Sequence, residues 1–133
     1  MSAIFVLQAQ DFNKSVQLKW KSVNQEIYFQ GANYPNNYFR LPVYSYVLDI
    51  GKNTATEIKI TNEVYKPLQD VKLSSKQLSV IQSQIIINSE IGIDRKNNLA
   101  TISVFPFRNN NGQIETLTSF DVAVQPNNNL SNN

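Results

Sequence analysis

Apolar and polar residues alternate along most of this chain with a period of two rather than 3.6, the pattern of strands that bury one face. Residues 15–21 (SVQLKWK) put Val16, Leu18 and Trp20 on one side, where Trp20 is expected in the core, and Gln17, Lys19 and Lys21 on the other. A second short strand follows, with Ile27 and Phe29 turned inward and Gly31 opening the loop that ends it. The polar turn of ANYPNNYFRLPVYSY leads into Leu41-Pro42, and Pro42, lacking an amide donor, belongs at a sheet edge or in an extended crossing. Residues 43–50 (VYSYVLDI) and 54–61 (TATEIKIT) flank Gly51-Lys52-Asn53. Glycine and asparagine tolerate the positive φ of a tight turn, so this pair reads as a hairpin.

Tyr65-Lys66-Pro67-Leu68 interrupts the pattern, and residues 71–73 resume it as a short strand. Residues 74–83 (SSKQLSVIQS) are the one place for a helical turn, weakened by serines and β-branched residues. The apolar run at 84–93 (QIIINSEIGI) suits a central strand, and 94–98 (DRKNN) a turn. Residues 99–107 (LATISVFPF) alternate, with Ala100, Ile102 and Val104 opposite Leu99, Thr101 and Ser103. The Asn-Gly pair within Asn109-Asn110-Asn111-Gly112 is the clearest hairpin turn in the chain, and residues 113–124 form the last strand. Many short strands separated by turn signals define an all-β class, with an antiparallel β-sandwich-like domain as the expected architecture.

The segment QEIYFQG (residues 25–31) resembles a tag-removal site for a viral protease. Gln25 stands where that site carries its glutamate, no histidine run precedes it, and the strand pattern upstream is one a tag does not need. It therefore reads as native sequence, to be settled against a cloning remnant by a proteolysis test.

Composition changes the picture mainly by exclusion. At 133 residues, 41% hydrophobic and 17% charged, the chain suits one folded domain. A net charge of +2 with singly scattered basic residues gives no stripe for nucleic acid. With no Cys and no His, the chain cannot build a Cys-His or Ser-His-Asp nucleophile, a zinc site of the usual ligands or a disulfide. No catalytic residue, metal or cofactor is expected in it, and no run is long enough for membrane insertion. Residues 1–10 (MSAIFVLQAQ) read either as a truncated secretory signal remnant or as an ordinary first strand. The single domain is placed at 11–126, with 127–133 as an asparagine-rich linker whose presence predicts a longer polypeptide.

Several segments occur in a recognisable order: Leu18-Lys19-Trp20; Leu41-Pro42 entering VYSYVLDI; Glu57-Ile58-Lys59-Ile60 with Val64-Tyr65; and IGIDRKNNLATISVFPFRNNNGQIETLTSFDVAV. From about residue 16 to 126, this order resembles the amino-terminal, propeptide-like domain of PorU-type sortases of the type IX secretion system, in the gingipain-type cysteine peptidase family. The resemblance implies a noncatalytic accessory domain whose partner is the downstream peptidase domain of the same polypeptide, which carries the Cys and His. It also implies export, with periplasmic transit to the outer membrane and cell surface. In the gingipains such a propeptide covers the active-site cleft, presents a basic side chain to the specificity pocket and assists folding. By chemistry alone the basic candidates here are Arg95, beside Lys96, and Arg108, before the Asn-Gly turn, although a solvated turn arginine is the commoner role for each. Pro106 marks an edge or bulge, or leaves an edge free for strand addition. That edge and the hairpin tip with Asn111 and Gly112 are the expected contacts for the following domain.

A competing reading is a carbohydrate- or surface-binding β-sandwich built on Tyr28, Tyr34, Tyr38, Tyr44 and Tyr46, with Phe29 and Phe39 among them. Exposure separates the two, because tyrosines of a β protein are mostly strand-pair and core fillers.

Overall fold

The computed structural model describes residues 12–93 and 96–128. Among these, nine strands follow one another: β1 (Phe12–Gln17), β2 (Lys21–Val23), β3 (Glu26–Tyr28), β4 (Tyr44–Asp49), β5 (Ala55–Pro67), β6 (Ile86–Ile93), β7 (Asn98–Phe105), β8 (Phe107–Asn110) and β9 (Gln113–Asn127). Among the described residues a single 3-10 turn lies at Asn36–Tyr38, and one short helix, α1, at Ser75–Ser79. Every strand pairing is antiparallel. In the four-stranded sheet β9 is the spine, with β5 along one side and β8 and then β1 along the other. The second sheet runs β4-β7-β6, and β2-β3 form a separate ribbon. The chain is thus an all-β, sandwich-like domain.

Alternation sets the core. Ala100, Ile102 and Val104 of β7 and Phe120, Val122 and Val124 of β9 are buried and pack in one cluster with Val16, Leu18 and Phe29. Each of the valine, leucine, isoleucine and phenylalanine side chains contributes about 1.5–3 kcal/mol relative to leaving it in water. A second cluster, of Ile27, Leu41, Val43, Ile81, Phe105 and Phe107, is roofed by Leu68, Val71, Leu73 and Val80. Trp20 packs against both clusters. Its ring meets Phe29 and Phe107 edge-to-face at 4.9 and 5.3 Å, and its indole N–H donates to the Leu117 carbonyl at 2.8 Å. Phe105, Pro106 and Phe107 are fully buried where the chain leaves the second sheet for the first, and the Pro106 carbonyl accepts from the Leu117 amide at 2.9 Å.

Two tight turns are visible in φ. Asn111 (φ 54°) and Gly112 (φ 94°) join β8 to β9 as expected of Asn-Gly. Asn24 (φ 53°) and Gln25 (φ 67°) make the same kind of turn between β2 and β3. The hairpin expected across Gly51-Lys52-Asn53 does not form: β4 pairs with β7 and β5 with β9, in different sheets. Asn53 N–H does reach the Ile50 carbonyl at 3.0 Å, but Thr54 N–H then bonds Asn127 of the opposite sheet at 3.1 Å. Alternation specifies which face of a strand is buried, not which strand lies beside it, and the apolar faces of β4 and β5 meet through the core instead.

Residues 86–93 form an edge strand rather than the centre of a sheet; β7 is the centre. Tyr65 to Pro67 do not interrupt β5, because a bulge at residues 62–63, with Asn62 at φ 54°, lets the strand continue. Residues 71–73 are not a strand but pack Val71 and Leu73 on the second cluster. The helical turn is present, and its reciprocal cap between Ser74 and Gln77 explains why a serine-rich segment holds it.

Candidate functional site

Arg108 is the best-defined charged group. It lies on β8, where its Nε donates to Glu115 Oε1 at 2.7 Å and a second guanidinium nitrogen lies at 2.7 Å from the same oxygen. Its guanidinium carbon sits 3.4 Å from the centroid of the Tyr65 ring. The arginine therefore ties β8, β9 and β5 together through a carboxylate and an aromatic face. In this arrangement it is neither a solvated turn arginine nor a side chain held out for a partner. Asn111 and Gly112 form the exposed hairpin tip beyond it, whereas Pro106 is buried at the crossover that leads into β8, a strand paired with β9 alone. Arg95 lies outside the described residues, as do residues 1–10, the region of the expected signal remnant. The last described residues carry β9 through Asn127, one residue into the stretch read as linker.

The five tyrosines do not share a face. Tyr38 is stacked on Phe105 at 4.0 Å, and Tyr44 meets Phe120 edge-to-face at 5.8 Å. Tyr44 and Tyr46 are half-buried against the first cluster, their hydroxyls enclosed without a hydrogen-bond partner among the described residues. The Lys14 ammonium lies 5.0 Å from the Tyr46 centroid. Tyr28 and Tyr34 line one groove, and Tyr38 borders a different, smaller one with Pro35 and Ser103. Burial, with the neighbouring Tyr44, pushes the Tyr46 phenol up to about 12, and burial with the Glu63 hydrogen bond does the same at Tyr65. In the unfolded chain both ionise near the ordinary value of about 10. Their contribution to stability is therefore full below pH 10 and is lost as the pH rises towards 12. Tyr46→Phe should weaken this alkaline loss and cost nothing at neutral pH, because the hydroxyl it removes has no partner. Urea midpoints from about pH 8 to about pH 11.5 check both parts, and a destabilised variant at neutral pH would show that the hydroxyl is bonded.

No motif singles out Arg40, yet it borders a groove with Tyr28 and Tyr34. This groove, of about 450 Å³, lies between the β2–β3 ribbon and α1 and is lined by Glu26, Tyr28, Tyr34, Arg40 and Gln77. Arg40 makes no hydrogen bond or ion pair among the described residues. It follows Phe39, and both are left-handed, with φ of 73° and 52°. Two such residues in succession are uncommon outside glycine. No signal short of the fold points there, since the loop's geometry is imposed by its anchors.

The segment QEIYFQG belongs to the fold. Ile27 and Phe29 are buried, the Gln25 side chain accepts from the Lys72 amide at 2.9 Å, and its Nε2 donates to the Asp70 carbonyl at 3.3 Å. No helix among the described residues is long and apolar enough to cross a membrane.

No protein-family model matches the chain. No curated protein matches it either. Its backbone is similar to a solved structure, the complex of the pro- and mature domains of RgpB from Porphyromonas gingivalis, with a TM-score of 0.62 over 90% of this chain and 83% of that one, at 15% identity. The chain therefore has a gingipain propeptide-like fold.

Proposed function

We propose that this chain is a noncatalytic, propeptide-like domain of an exported gingipain-type cysteine peptidase or PorU-type sortase, which covers or scaffolds the catalytic domain of its own polypeptide. The observation that carries the reading is the likeness in fold to the RgpB complex over most of both chains. A sequence without Cys or His leaves the nucleophile to another domain. Among the basic candidates, Arg95 falls in sequence between β6 and β7. Arg108 is engaged with Glu115. The tyrosines lend the carbohydrate-binding alternative no common face.

The test is a titration of the peptidase domain encoded downstream with this chain, following binding and peptidase activity together. Binding that suppresses activity, relieved by Arg95→Ala, is the result expected of a cleft-covering domain. Binding without inhibition leaves scaffolding as the role, and no binding at all refutes the proposal.

A further inference from the structure

Seven large hydrophobic residues are exposed among the described residues. Four of them, Val23, Val47, Val64 and Ile93, stand one to a strand on β2, β4, β5 and β6. The other three lie on two segments joined to each other: Tyr34 (51% exposed) and Phe39 (40%) on the loop around the 3-10 turn, and Leu78 (44%) on the helix that holds this loop. The link is Gln77, whose Nε2 donates to the Phe39 carbonyl at 2.9 Å while its Oε1 and amide complete the cap with Ser74. Leu41 N–H closes the turn on the Tyr38 carbonyl at 3.0 Å. Tyr38 beneath is stacked on the buried Phe105 ring.

The loop is therefore fixed from below while its outward side chains have nothing to hold. Phe39 and Arg40 occupy a left-handed conformation that costs non-glycine residues energy. Neither side chain repays that cost within the described fold, since Arg40 has no partner there and Phe39 is substantially exposed. Exposed aromatic residues beside an unpaired arginine, on a rigid support, match the composition and preorganisation of a binding hot spot.

We propose that Tyr34, Phe39, Arg40 and Leu78 form a protein-docking surface whose occupant is the catalytic peptidase domain, meeting it with a carboxylate opposite Arg40 and an apolar patch opposite Phe39 and Leu78. The charge assignment follows from the unpaired guanidinium, which loses water on docking and needs an anionic acceptor. The occupant rests on the functional reading above. This surface, rather than the β8–β9 hairpin tip, then carries the affinity.

The test uses calorimetric binding of this chain to that peptidase domain, with three variants and their melting temperatures. Arg40→Gly removes the guanidinium and relieves the left-handed backbone, so it should melt no lower than the parent yet bind at least tenfold more weakly. Arg40→Glu should bind more weakly still, and Gln113→Arg at the hairpin tip should bind as the parent does. Parent-like binding by Arg40→Gly overturns the surface but leaves the functional reading standing. A loss of affinity matched by a lower melting temperature overturns it too, because Arg40 would then act through the fold. If the parent itself does not bind, both readings fall.

Discussion

Phe107→Ala should remove about 3–5 kcal/mol of stability, a large share of the roughly 5–15 kcal/mol available to a domain of this kind. Phe107 is fully buried at the first position of β8, directly after the crossover between sheets. Its ring lies 5.1 Å from that of Phe105 and 5.3 Å from that of Trp20. The backbone there is held by strand pairing to Thr116 and by the Pro106–Leu117 hydrogen bond. The walls cannot easily collapse into the space left behind, which places the cost towards the upper end of the range. Trp20 is the only tryptophan, and its indole loses one of its two aromatic walls, so its emission should shift to the red in the folded variant. Urea denaturation followed by tryptophan fluorescence reads both effects. A loss below about 1 kcal/mol, the level of a substitution that leaves no cavity, would mean that the second cluster is not a packed core.

That cluster also marks the limit of what could be read from the sequence. The inward faces of the first cluster were legible because β-strand side chains alternate strictly: Ala100, Ile102 and Val104 are all fully buried, as their spacing implies. The Asn-Gly turn was legible because its chemistry is local. Strand partners were not, since a strand's apolar face is equally satisfied by a neighbour in its own sheet or by one across the core, and β4 and β5 took the second course. The run at 84–93 reads as central because it is rich in isoleucine, but residues 86–93 within it form an edge strand, several of them only half-buried. The groove and Arg40 were invisible for a related reason. The left-handed pair at Phe39 and Arg40 has no glycine to announce it, and it is stabilised by a glutamine distant in sequence.

Arg108→Ala carries the second large effect, and its outcome separates a structural from a functional arginine. The side chain is 29% exposed and Glu115 only 15%, so the pair is screened less than one on the surface but is not fully desolvated. Removing the guanidinium takes away two short contacts to Glu115 and the face of Tyr65, and leaves the carboxylate with only Asn110 at 3.5 Å. A charge-assisted hydrogen bond contributes about 1.5–3 kcal/mol and a stacked cation about 0.5–1 kcal/mol. Because the partial exposure lets water reach Glu115, a net loss of about 2 kcal/mol is expected. Glu115→Ala should cost less, since the guanidinium it frees still lies on Tyr65. The double variant should be more stable than the sum of the single losses predicts, because neither charge is then stranded. The cycle is measured by urea denaturation near neutral pH. Additive losses would show that the two residues do not act as a pair. If Arg108→Ala instead left stability unchanged while releasing an inhibited peptidase domain, the side chain would be one presented to a partner, and the clamp seen across β8, β9 and β5 would be a resting position from which it swings out.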